Sequence, residues 1–427
     1  MRRRIAPKRA LPALLAATAL VAGAAACSAS AGTGGTSGTS GAGAAGMQAG
    51  TKAPLVIGIS LSLTGDFGDT GKAAEKGYEL WASQVNRSGG ILGRQVQLKI
   101  VDDTTSATQV VTNYESLINE DHVDLVFGPV SSLLTVPAAR VAARYGYAFI
   151  EPAGGAPTVF ALHLRNLFLA QPAPVLDLGV SFADYILSLP PSQRPKTAAY
   201  SSVDNPFASP VVEVVRQRLQ AAGIKTVLDQ TYPAEQADLG PVVARVVAAK
   251  PDLVVDGTQG EDGYETIRDL VQQKFSPKIL FMPNDASDPV NFPAQVGVGN
   301  VDGIFTADDW SPMASRPGNA AFIKAYLAAY GGTASQIDPT SAEAYACGQL
   351  LQEVALKTGK VDNATIISTL HAGTFDTIEG SLSWDADGAT DGTSGLLLQW
   401  INHELVPVFP AADAAHAPEI AKPAWGG

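Results

Sequence analysis

Between residues 55 and 105 the chain reads LVIGISLSLTGDFGDTGKAAEKGYELWASQVNRSGGILGRQVQLKIVDDTT, and no other stretch constrains the fold as much. An apolar strand over 55–60 enters a loop, Leu63-Thr64-Gly65-Asp66-Phe67-Gly68. Ala74, Gly77, Tyr78, Trp81 and Val85 then recur at helical spacing. A Gly-Gly turn leads to a second strand over 96–101 that ends in Asp102-Asp103. A strand–helix–strand unit of this kind builds parallel sheets. In such sheets ligands bind beyond the carboxyl ends of the strands.

The alternation continues. Helices are expected over 108–119, 133–145, 209–222, 239–249 and 264–273, and strands over 123–127, 148–150, 197–201, 226–230, 253–256 and 279–282. Later come helices over 320–330 and 341–358 and strand-like pieces over 382–384, 396–401 and 405–409. The 427 residues exceed one ordinary core, so the expected fold is α/β with two doubly wound lobes joined by a three-segment hinge. The chain should cross near Gln171, Thr306 and Gly395. That gives one lobe of 53–171 plus 306–394 and another of 172–305 plus 395–412, with 413–427 an Ala/Pro-rich tail expected to fray.

The first 26 residues read as a secretory signal. Arg2, Arg3, Arg4, Lys8 and Arg9 precede a short apolar run, and small residues lead to Cys27. This end resembles a bacterial lipobox, which implies a lipid on Cys27; the alternative is ordinary cleavage after Ala26. Residues 27–52, nearly all Ser, Ala, Gly and Thr, suit a flexible tether. The expected location is therefore extracytoplasmic and lipid-anchored. Cys347 is the one other cysteine, so no internal disulfide is expected once Cys27 is lipidated. The net charge of −12 without a basic run argues against nucleic acid.

Gly128-Pro129-Val130-Ser131-Ser132 joins a strand to a helix. Unpaired N–H groups and serine hydroxyls there would attract a carboxylate; equally, either serine would serve as an ordinary cap. Enzyme signatures are lacking. The five histidines are scattered, with no HExxH pair, GxSxG elbow or P-loop. Asp385-Ala386-Asp387-Gly388 resembles a calcium loop but has Leu396 at the twelfth position, so a solvated turn is the better reading. No catalytic residue, metal or cofactor is expected.

The wording of 55–105 resembles the opening of periplasmic binding proteins of the branched-chain amino-acid type, and the resemblance extends over 54–410. It is strongest over 55–157 and again at DTIEGSLSWDADG, 376–388. It implies a solute receptor of an ABC importer that takes an amino acid or related small polar molecule between its lobes and meets a permease. It also implies roles residue by residue. Ser132 falls where a serine holds the ligand's carboxylate. In Glu151-Pro152-Ala153-Gly154-Gly155, Ala153 falls at a carbonyl facing the ammonium, and Gly155 at a threonine position where only a backbone N–H remains. Asp285 falls at an acid for the ammonium, and otherwise reads as a turn aspartate. Gln259 and Thr70 stand where aromatic residues are common, and Phe207 is a candidate apolar wall. Trp310 either closes over the ligand or packs at the hinge, and Glu151 either forms a structural ion pair or faces the ligand. Alternative roles are a sensor for a membrane signalling partner, a binder of an amide or aromatic acid, or a secreted hydrolase.

Overall fold

The computed structural model of the protein describes residues 52–426 apart from 235, 237, 393 and 394. The signal, Cys27 and residues 28–50 lie outside the described residues. Two sheets carry the alternation. The first holds β1 (Leu55–Leu61), β2 (Val96–Asp102), β3 (Leu125–Phe127), β4 (Phe149–Glu151) and β5 (Leu167–Leu169), all parallel, in the order β2-β1-β3-β4-β5. The second begins with β6 (Thr197–Val203), β7 (Lys225–Tyr232), β8 (Leu253–Gly257), β9 (Ile279–Phe281) and β10 (Ile304–Asp308), also parallel. A short antiparallel ribbon follows, β11 (Phe375–Thr377) with β12 (Gly380–Leu382). The chain then adds antiparallel β13 (Leu396–Ile401) and β14 (Glu404–Phe409) to the second sheet, giving β14-β13-β10-β9-β8-β6-β7. Strands covered on both faces read as near-continuous apolar runs, and β8, buried at every residue, departs from that only at Asp256 beside its end.

The chain leaves the first sheet after β5, beside Gln171, and re-enters the second beside Gly395. Near the crossing expected at Thr306, that residue still pairs with Leu398 inside β10, so the second sheet holds the chain as far as Asp308. Helix Pro339–Thr358 then returns to the first lobe against helix Gly68–Arg87. Two glycines permit that contact. A Cβ on Gly77 would lie 2.1 Å from the Ser341 carbonyl oxygen, and one on Gly348 would lie 2.0 Å from the Trp81 ring. Tyr78 stacks on Phe127 at 5.4 Å, with Trp81 beside it, at the centre of this core. Cys347 is buried there, as a small apolar residue would be.

The tail departs from expectation. Glu419 and Gln399 exchange backbone-to-side-chain hydrogen bonds, the Lys422 N–H donates to the Lys278 carbonyl, and the Trp425 indole donates to the Phe275 carbonyl. The Lys422 ammonium lies 3.3 Å from the Trp425 ring centroid. Sparse anchors, not periodic apolar residues, hold this segment against the second sheet, so composition alone suggested fraying.

Both sheets reverse their strand order once. In the first, β1 sends one connection out to β2 and the next lies at β3; in the second, β6 feeds β7 and the next lies at β8. At such switch points neighbouring loops part and leave a crevice. The loops leaving β1 and β3 therefore face those leaving β6 and β8.

Candidate functional site

The first lobe's face is braced from within. Asp102 accepts hydrogen bonds from the N–H groups of Leu63 and Thr104, at 3.0 and 2.8 Å, and from the Thr64 hydroxyl at 2.6 Å. Burial opposes its charge, but these donors outweigh that and hold its carboxyl below the usual range. Asp103 takes the Ser62 hydroxyl at 2.6 Å and the Ser60 hydroxyl at 3.1 Å. The pair at the end of β2 thus sets the shape of the loop after β1.

The loop after β3 contains Ser131 at φ 75°, a left-handed conformation rare for a residue with a side chain. That turn swings its hydroxyl toward the other lobe, where it lies 3.4 Å from Gln259 Oε1. Its N–H donates to the Ala153 carbonyl at 3.0 Å. Ser132, predicted as the carboxylate contact, is fully buried and accepts the Ala156 N–H at 3.1 Å. Its hydroxyl ties two loops together behind the crevice. The Gly155 carbonyl accepts from Val175, and Gly154 packs on Thr135 and Glu151. Neither glycine lines the crevice. Glu151, buried at the end of β4, finds no ion pair; it lies against the N–H groups of Ala153 and Gly154, and burial pushes its carboxyl up to about 8. It is a mostly protonated core residue at neutral pH.

The second lobe supplies a different surface. Asn205, after β6, caps the following helix through the N–H groups of Phe207 and Ala208 and donates to Gln259 Oε1 at 3.0 Å. Gly260 allows the lobes to meet, because a Cβ there would lie 2.9 Å from the Asp66 carbonyl oxygen. Its N–H donates to Asp285 Oδ1 at 2.8 Å.

The crevice has two chambers that share Thr70, Asn284 and Thr340. The outer has a volume of about 330 Å³ and is lined by the carboxylates of Asp66, Asp69, Glu261, Asp285, Asp288 and Asp338. The inner, about 50 Å³, is lined by Ser131, Ala153, Phe207 and Gln259, and by the acids Asp308, Asp309 and Glu343. Among the described lining residues Lys72 is the only base, and it sits at the rim 3.7 Å from Asp69. Trp310 lies elsewhere. It is fully buried against Leu80 and Phe322, with its indole N–H on Asn319, and packs as a core residue instead of covering the crevice.

Three of the acids are more than nine-tenths buried and keep an oxygen without a partner: Asp285 Oδ2 (7% exposed), Asp309 Oδ1 (2%) and Glu343 Oε2 (4%). Burial pushes the Asp285 carboxyl well above its ordinary range, and the neighbouring Asp262 adds to the shift. Burial, then the Asp308 charge, does the same to Asp309 and Glu343. Gln171 donates to Glu343 at 2.7 Å, linking the first crossing to the returning helix.

Sequence reasoning missed Asn284, Asp308, Asp309, Asp338, Thr340 and Glu343 as site residues. The visible signals were the double acid Asp308-Asp309 at a strand end and the Asp338-Pro339 helix start. Among the described residues no three metal-ligating side chains converge, and no helix is long and apolar enough to cross a membrane.

Two doubly wound lobes with a polar crevice between their switch points define a two-lobed receptor. The chain belongs to the periplasmic binding protein family, whose model matches residues 54–402, a family of binding proteins rather than enzymes. It is 23% identical over 394 residues to Leu/Ile/Val-binding protein homolog 7 of Brucella melitensis, covering 88% of this chain and 96% of that one. Among solved structures, it is similar to an ABC-transporter solute-binding protein of R. palustris in complex with benzoate (TM-score 0.73, 21% identity, 86% of this chain and 99% of that one). The branched-chain amino-acid binding protein LivJ of Streptococcus pneumoniae, in complex with isoleucine, gives a TM-score of 0.72 at 19% identity, covering 82% and 97%.

Proposed function

We propose that this protein is the extracytoplasmic receptor of an ABC importer, anchored through a lipid on Cys27, and that it closes around a small polar ligand bearing an amine: an amino acid or a related molecule. The observation that carries this reading is the interlobe crevice itself, whose lining includes Asp285, a buried acid that takes the Gly260 N–H. A charge-assisted hydrogen bond from an ammonium to that carboxylate would contribute about 1.5–3 kcal/mol. Ser131 and Gln259, which already meet across the crevice, would act as a latch when the hinge closes. The closed shape is what a permease would read. The lobes' matching crevices and the relatives that bind isoleucine and benzoate support a receptor.

The test is a thermal-shift screen against amino acids, alkyl amines, amides and small carboxylates. Amine-bearing compounds should stabilise the protein, with dissociation constants of order micromolar, about −8 kcal/mol. Stabilisation by carboxylates alone would remove the amine from the reading.

A further inference from the structure

We propose that Gly260 is the positioning residue of lobe closure: it docks the loop after β8 on Asp66 of the first lobe, and that contact walls the inner chamber off from the outer one. The inference deepens the receptor reading above and rests on it.

Three observations converge. First, the two loops that meet are each fixed by their own lobe. On the second lobe the Gln259 N–H donates to Asp262 Oδ1 at 2.9 Å, the Gly260 N–H donates to Asp285 Oδ1 at 2.8 Å, and the Tyr232 hydroxyl holds the other Asp262 oxygen at 2.8 Å. On the first, the Phe67 N–H donates to the Thr105 hydroxyl at 3.1 Å, and that hydroxyl donates to the Thr64 carbonyl at 3.2 Å. Surfaces held in this way yield little, so one added methyl group is felt. Second, Gly260 sits at φ 100° and ψ −141°, a conformation nearly confined to glycine. The three atoms nearest to a Cβ there all belong to Asp66, across the gap: its carbonyl oxygen at 2.9 Å, its Cβ at 3.4 Å and its carbonyl carbon at 3.5 Å. Third, the chambers change over at this point. Asp66 and Gly260 line the outer chamber, whereas their chain neighbours Phe67 and Gln259 line the inner one. Gln259 in turn meets Ser131 at 3.4 Å. Successive residues of one loop therefore touch two loops of the first lobe, and the crevice is divided there. The passage that remains runs past Thr70, Asn284 and Thr340, common to both chambers. A side chain at position 260 would hold the lobes apart and breach the wall.

The test is single-molecule energy transfer on the mature protein, with a dye on one exposed residue of each lobe, read without added solute and with a pool of the standard amino acids. Gly260→Ala should lower the closed population about tenfold or more. Gly89→Ala is the matched control, because its φ is also 100° but a Cβ there meets nothing within 4 Å. It carries the backbone strain without the contact. It should therefore lower the melting temperature much as Gly260→Ala does and leave the closed population unchanged. Circular dichroism establishes that each variant folds. Should Gly260→Ala fail to fold, one alanine inserted between the exposed Gly65 and Asp66 displaces the carbonyl from the other side and should bring the same loss. Equal closed populations in Gly260→Ala and the unaltered protein, or an equal loss in Gly89→Ala, would overturn the role of Gly260. An unaltered protein that never closes, with or without the amino acids, would overturn it too, and the thermal-shift screen above then decides the receptor reading by itself.

Discussion

The two faces of the crevice are built from the same kind of loop, yet they differ in what they leave open. On the first lobe nearly every polar group that faces the gap is held by its own lobe: Asp102 and Asp103 hold one loop, and Ser132 ties a second to a third. Acids with unfilled oxygens lie elsewhere: Asp285 and Asp309 just beyond strands of the second sheet, and Glu343 on the long helix that returns to the first lobe. The loops after the first sheet supply a finished shape, whereas the loops after the second sheet, with the returning helix, supply buried acids. Recognition should therefore be far more sensitive to the second face, and stability to the first.

The largest effect should appear in the first lobe's core. Glu151 has a folded-state carboxyl raised by burial to about 8, so its contribution to stability is fully present below its unfolded value and is lost as pH rises toward 8 and beyond. Glu151→Gln removes that loss. Between pH 4.5 and 9 the difference in unfolding free energy should move in the variant's favour by on the order of 4 kcal/mol, measured by denaturant titration at several pH values. Ligand affinity at neutral pH should not change, since Glu151 does not line the crevice. A drop in affinity would place it at the site.

Asp285→Asn should do the reverse. It relieves buried like charges, so the melting temperature should hold or rise, while amine binding weakens by about 1.5–3 kcal/mol. Ser132→Ala strands the Ala156 N–H and should cost about 1–3 kcal/mol of stability with little direct effect on affinity. If it abolished binding while stability held, the carboxylate contact expected from the sequence would be restored. The smallest change belongs to the latch. Gln259→Ala removes contacts to Ser131 and Asn205 and should weaken closure by about 0.5–1.5 kcal/mol, visible as a larger radius of gyration by small-angle scattering.

Much of the fold was legible because buried parallel strands read as short, mostly apolar runs, polar chiefly toward their carboxyl ends as at Glu151, Ser202 and Asp256, which separates them from the amphipathic helices beside them. Strand β5, only Leu167–Leu169, is too short to show a period. Residues of the crevice lining were legible where loops follow strands directly, as at Ala153, Phe207, Gln259 and Asp285. They were not legible where a single backbone angle decides. Ser131 and Ser132 are the same residue type, and only the positive φ of the first sends its side chain across the gap. Nor could local spacing show that Asp338 and Glu343, far along the chain, return to line the same crevice. Trp310 was ambiguous because one buried partner, Asn319, satisfies its indole.

The most direct test of the account is calorimetry, near neutral pH and in buffers of differing ionisation enthalpy, of the amino acid that stabilises the protein most. An ammonium entering beside Asp285, whose carboxyl burial holds above its ordinary range, should favour the ionised form, so binding should release protons and tighten as pH rises. Binding with no proton release, at an affinity flat or falling with pH, would contradict the claim that Asp285 receives the ligand.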